Sequence, residues 1–135
     1  MKTLDHIIAL QFQQVPGEGC SMWVLEDFNQ VSHPVKRMFF ISPESETTRG
    51  DHAHLDCWQT LVCIKGKILI TVDDGIEKRA INLLTYGQAL TVPPELWSRQ
   101  DYSSNSSLLV LCSHLYNEKD YVRDYQSFLD FRAGK

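Results

Sequence analysis

The sequence has no surplus of positive charge: 13 Lys and Arg stand against 17 Asp and Glu, a formal net charge of −4. There is thus no basic field of the kind that holds nucleic-acid phosphates, and a polyanionic ligand has to be met by a local cluster of Arg, Lys or backbone donors. No stretch approaches the roughly 18 uninterrupted apolar residues of a membrane span. Met1 to Gln14 carries no apolar run of signal-peptide length. The expectation is a cytoplasmic protein with neither nucleic acid nor membrane as partner. The cysteines, Cys20, Cys57, Cys63 and Cys112, fall at no metal-ligand spacing. In a reducing compartment they read as small buried hydrophobes rather than disulfides. Linkers, repeats and low-complexity tracts are also missing, and 135 residues make room for one domain spanning 1–135.

What is present is a series of short strands. The apolar share of 43% is enough for one continuous core. Between residues 20 and 113, strand patterns run over Val35–Ile41, Thr60–Ile64, Lys67–Val72, Lys78–Leu83, Ala89–Val92 and Leu108–Cys112. Turn signals separate them at Lys65-Gly66, Asp73-Asp74-Gly75, Tyr86-Gly87 and Pro93-Pro94. Many short strands with little helix between them predict an all-β antiparallel sandwich or barrel, of which the jelly roll is the double-sheet form. The tail changes period: Tyr121, Tyr125, Phe128 and Leu129 recur at helical spacing, which predicts an amphipathic C-terminal helix over Asp120–Phe131.

The densest chemical group is Arg49-Gly50-Asp51-His52-Ala53-His54. Side chains alternate along a strand, so His52 and His54 share a face, about 7 Å apart along the chain, while Asp51 and Ala53 face outward. Inside a barrel the two imidazoles would meet in one cavity. On an open strand they would be two idle surface histidines.

Gly50, His52, His54, Gln59 and Gly66 resemble the first cupin motif, and Gly87, Pro93 and Ser98 follow the second. In a metal-binding cupin three histidines and a carboxylate hold the ion. The corresponding set here is His52, His54, Gln59 and Ser98, with two neutral oxygen donors that are weak ligands for a divalent cation. Acid–base chemistry by free histidines, without cofactor or metal, is the expectation. Arg49-Gly50-x-His52-x-His54, Leu61-Val62-Cys63, Asp73-Asp74-Gly75, Pro93-x-x-x-Trp97 and Asp120-Tyr121-x-Arg123-x-Tyr125 together resemble the WxcM-like family. Its best-known members are dTDP-4-keto-6-deoxyglucose 3,4-ketoisomerases. The resemblance spans about residues 20–131. It implies a cupin-type jelly roll, a homodimer that exchanges N-terminal strands, no metal, a dTDP-linked keto-sugar as substrate, and a place in making sugars for bacterial surface glycans such as O-antigen. It also maps the catalytic histidines onto His52 and His54 and a substrate arginine onto Arg49. Family members usually carry histidine or arginine after the tryptophan, at a position that relates to the C4 epimer formed; this chain has Ser98 there, followed by Arg99.

The chemistry so implied is proton transfer between neighbouring carbons of a keto-sugar, which a group titrating near neutrality can perform. One histidine takes the C3 proton and the other serves the oxygens, with either order open. Gln59 can hold an imidazole tautomer or be a plain polar strand residue. Arg49 can neutralise a diphosphate or polarise an enediolate oxygen. Trp97 can pack under the sugar or serve the core, and Arg37 and Tyr102 are further ligand candidates. Competing expectations are a metal-dependent cupin enzyme, a sugar-nucleotide binding module without catalysis, and a structural β-sandwich.

Overall fold

Short strands closed by glycine turns wrap into two facing layers. The computed structural model describes residues 1–26 and 30–134. A 3-10 turn at Leu4–His6 precedes β1 (Ile8–Gln11), β2 (Gln13–Gly17), β3 (Cys20–Val24), β4 (Arg37–Ile41), β5 (Thr47–His54) and β6 (Gln59–Lys65). Then come β7 (Lys67–Asp73), β8 (Lys78–Leu84), β9 (Gln88–Val92), β10 (Trp97–Tyr102) and β11 (Ser107–Cys112). A second 3-10 turn at Glu118–Asp120 leads into β12 (Tyr121–Val122) and α1 (Tyr125–Arg132). The strands form two five-stranded antiparallel sheets, ordered β1-β9-β6-β11-β4 and β12-β5-β10-β7-β8, with β2 and β3 as a separate ribbon. This is the cupin-type jelly roll.

Alternation builds the core. Ile68, Ile70 and Val72 of β7 meet Leu108, Val110 and Cys112 of β11 between the sheets, all at most 1% exposed. Each such buried aliphatic side chain contributes on the order of 1.5–3 kcal/mol. The Lys65-Gly66 turn is pinned by Gly66, whose φ of +80° and approach to Ser106, 2.8 Å from where a Cβ would sit, both require glycine.

Every strand expected from pattern is present, with ends shifted by up to two residues; β4 begins at Arg37 rather than Val35. The C-terminal helix is a correction. It starts at Tyr125, not Asp120, because the Asp124 side chain caps it by accepting the Ser127 backbone N–H at 2.8 Å. Residues 121–122 instead add a strand beside β5. The helix buries Phe128 completely against Ala53 and Trp97 on the outer face of the second sheet. Ala53 points outward as its parity requires, yet it is only 2% exposed because α1 covers it.

Candidate active site

Arg49 and His52 are three residues apart, so regular alternation would set them on opposite faces of β5. A bulge prevents this. Arg49 opposes Gln100, Gly50 opposes Arg99 and His52 opposes Ser98, which leaves Asp51 as the extra residue. Gly50 and Asp51 both have left-handed φ, +84° and +54°. A Cβ on Gly50 would lie 2.8 Å from the Ser98 carbonyl oxygen, so the bulge needs glycine there. The result is a cavity of about 210 Å³ with Arg37, Arg49, His52, Gln59, Gln100 and Tyr121 in its walls.

His52 and His54 meet edge to face with ring centroids 5.0 Å apart, and Tyr121 lies 4.9 Å from the first and 4.3 Å from the second. His52 stands in the cavity wall, while His54 is set beside it against Tyr121 and is 7% exposed. His54 Nδ1 is 2.6 Å from Asp120 Oδ2, and the other carboxylate oxygen accepts the Asp56 backbone N–H at 2.7 Å. In the neutral tautomer that directs Nδ1–H at the carboxylate, Nε2 of His54 is the unprotonated nitrogen. That Nε2 and His52 Nδ1 are buried without a hydrogen-bond partner among the described residues, a costly condition that a substrate can relieve. Burial first, and the nearby His54 next, push His52 down to about 4, so its ring is neutral at neutral pH.

Positive charge is concentrated at the same cavity despite the acidic chain. Arg123 is clamped on Glu118, with Nε–Oε1 at 2.6 Å and the second nitrogen at 3.0 Å, and stacks 4.3 Å over Tyr121. Arg37 packs between Phe39 and Tyr116. Arg37 and Arg49 make no ion pair among the described residues, so two cavity arginines keep their charge for a ligand.

The remaining expected site residues divide by face. Ser98 is buried opposite His52. Tyr102 lies inside and donates from its hydroxyl to Gln100 Oε1 at 3.1 Å, which steadies a cavity residue without lining that cavity. Gln59 is in the wall, but its amide donates to Cys112 Sγ at 3.7 Å; the histidine is held by Asp120 instead. Trp97 and Arg99 are on the other face of β10. Trp97 packs on Tyr125 and Phe128, and Arg99 pairs with Asp101 at 3.1 Å. β10 runs in unbroken register along β7, with no extra residue of its own, so Ser98 and Gln100 turn inward only if Trp97 and Arg99 turn away.

The cupin ligand positions hold two imidazoles, an amide and a hydroxyl, a donor set that fits a divalent ion poorly. A helix over Asp120–Phe131 hides Asp120, Tyr121 and Arg123 as site residues, since it places them on a helix rather than beside β5. The Asp124-x-x-Ser127 capping pattern was the signal that would have freed them.

Residues 5–133 match the family model described as "FdtA: WxcM-like, C-terminal". A TDP-4-oxo-6-deoxy-α-D-glucose-3,4-oxoisomerase of Aneurinibacillus thermoaerophilus is 32% identical over 126 residues, 92% of this chain and 91% of that protein. Among solved structures, a 3,4-ketoisomerase from Helicobacter canadensis superposes with a TM-score of 0.88 at 29% identity, covering 95% of this chain and 98% of the other. QdtA, a sugar 3,4-ketoisomerase from Thermoanaerobacterium thermosaccharolyticum in complex with TDP, gives 0.89 at 26%, covering 98% of each. This chain therefore belongs to the FdtA family of WxcM-like proteins.

Proposed function

We propose that the protein is a 3,4-ketoisomerase that converts a TDP-4-keto-6-deoxyhexose into its 3-keto isomer by histidine acid–base catalysis, with no metal. One observation carries the reading: half-buried His52 stands in the wall of a cavity it shares with Arg37 and Arg49, buried His54 packs directly against it, and each has a ring nitrogen without a hydrogen-bond partner among the described residues. The curated relative and the ketoisomerase structures supply the substrate class.

The 4-ketone acidifies the C3 proton. His54, with Nδ1–H held by Asp120, takes that proton on Nε2. The C3–H electrons become the C3–C4 double bond, and O4 gains a proton to give an enediol. Neutral His52 stands in the wall, donating to one sugar oxygen and accepting from the other. His52 then takes the O3 proton as the 3-ketone forms, and His54 returns its proton from Nε2 to C4, so both rings end as they began and the step is redox-neutral. Arg49 and Arg37 bind the diphosphate or the developing enediolate. The test is solvent-deuterium incorporation at C3 or C4 of TDP-4-keto-6-deoxyglucose, followed by NMR. Binding of TDP without incorporation would favour the alternative of a sugar-nucleotide binding module, a reading supported by the non-ionisable Ser98 beside His52.

The assembly in this reading is a cytoplasmic homodimer serving surface-glycan synthesis. The β2–β3 ribbon stands apart from both sheets, with Val15 38% and Met22 57% exposed. Edge strand β4 offers Met38 and Phe40 at 63% and 64%. An unpaired edge beside exposed apolar side chains suits exchange of the ribbon between two copies. Light scattering at micromolar concentration should give twice the chain mass; a monomer would refute the exchange.

A further inference from the structure

Asp120 and His54 have a third neighbour. Cys57 Sγ, a His54 ring nitrogen and an Asp120 carboxylate oxygen all lie within 4.8 Å of one another, and Nδ1 is the nitrogen that faces Asp120, at 2.6 Å. His54 and Cys57 are buried. Imidazole nitrogen, thiolate and carboxylate are together a donor set suited to Zn²⁺, at bond lengths of about 2.0–2.3 Å. A tetrahedral ion spaces such atoms about 3.3–3.6 Å apart. His54 and Asp120 would open from 2.6 Å, and the sulfur would approach from its present place within 4.8 Å of both. Cys57 sits in the loop between β5 and β6.

A route exists that does not cross the substrate cavity. An open cleft of about 340 Å³ has Asp56, His114 and Asp120 on its rim. None of these lines the cavity that holds His52. The group is also distinct from the cupin ligand positions, since it shares only His54 with them and uses Cys57 and Asp120 for the rest.

We propose that His54 Nδ1, Cys57 Sγ and the Asp120 carboxylate form an inhibitory Zn²⁺ site, entered from this cleft. The inhibitory half rests on the role of His54 in the ketoisomerase reading; the binding half does not. A neutral imidazole that ligates through Nδ1 carries its proton on Nε2. The metal thus moves the His54 proton from Nδ1 to Nε2, Cys57 ligates as thiolate, and any thiol proton goes to solvent. Asp120 is drawn from the ring to the ion. Nε2 becomes a donor and can no longer take a proton from the sugar.

The experiment uses the full chain, stripped with chelator and kept under a non-thiol reductant. Co²⁺ serves as the spectroscopic probe and Zn²⁺ as the effector. Wild type should develop a thiolate-to-cobalt charge-transfer band at one ion per chain, which Zn²⁺ displaces. Turnover should be full in the stripped protein, fall as Zn²⁺ fills the site, and return on chelation. Cys57→Ser should lose the band and keep metal-free turnover. Its sensitivity to Zn²⁺ should weaken by more than the roughly 10–100-fold typical of losing an outer-shell partner. Cys57→Ala, checked by its melting curve, replaces it should the serine variant misfold. Absence of the band, equal Zn²⁺ sensitivity in the variants, or recovery by stronger reductant but not by chelator would overturn the proposal, the last pointing to oxidation of Cys57. Should the chain turn over no sugar at all, the ketoisomerase reading falls, and the cobalt band still decides the metal site.

Discussion

His54 Nδ1 and Asp120 Oδ2 lie 2.6 Å apart across 66 residues of chain, joining the end of β5 to the turn before β12. Both groups are nearly closed to water, at 8% and 11% side-chain exposure, so the contact is a desolvated charge-assisted hydrogen bond that fixes one tautomer.

Asp120→Asn should therefore damage turnover more than binding. An asparagine amide donates to Nδ1 and puts the imidazole proton on Nε2, the wrong nitrogen. We expect kcat to fall by about 10²–10⁴-fold, the range for lost acid–base catalysis, with KM for the sugar nucleotide little changed. Steady-state kinetics separates the two, and equal losses in kcat and in TDP affinity would mark Asp120 as merely structural.

His52→Asn and His54→Asn should each lower turnover within the same 10²–10⁴-fold span while TDP still binds. The assigned roles separate them: without His54, wash-in of deuterium at C3 should stop. Exchange at the wild-type rate in the His54 variant would place the C3 base elsewhere, with His52 in the cavity wall next in line.

Gly50→Ala should fail through the backbone. The left-handed φ of +84° costs an alanine about 1–3 kcal/mol, and its methyl would meet the Ser98 carbonyl 2.8 Å away. Relief by straightening the bulge would turn Arg49 away from the face of His52. We expect a lower melting temperature together with weakened TDP affinity. A variant that melts and binds as wild type would show that the bulge does not position Arg49.

His52 should make the fold acid-sensitive. Burial lowers its pKa from 6.5 to about 4. The unfolded chain therefore binds more protons than the folded one between those values. The stabilisation is present above pH 6.5 and is lost as pH falls towards 4, by up to about 3 kcal/mol in total. His52→Asn should flatten that part of the stability curve in urea titrations. An unchanged slope would assign the acid lability to another group.

The alternation of short apolar runs with glycine and proline turns is a local property, and it determined an antiparallel sandwich or barrel, six of its strands and the pairing of His52 with His54 on one face, while the motifs shared with WxcM-like proteins pointed to the cupin-type jelly roll. Composition likewise required that a polyanion be met by a local cluster of Arg, Lys or backbone donors. Three things lay beyond local pattern. The bulge at Gly50-Asp51 shifts parity, so that Arg49 joins His52, and only the pairing of β5 with β10 reveals it. The same pairing turns Trp97 and Arg99 to the outer face, which their proximity to Ser98 in sequence conceals. Asp120 and Tyr121 reach the histidines because the chain folds back along β5 before α1 begins. A helical repeat through Tyr121 and Tyr125 conceals that return, since a two-residue strand has no period of its own and is decided by the edge it finds to pair with.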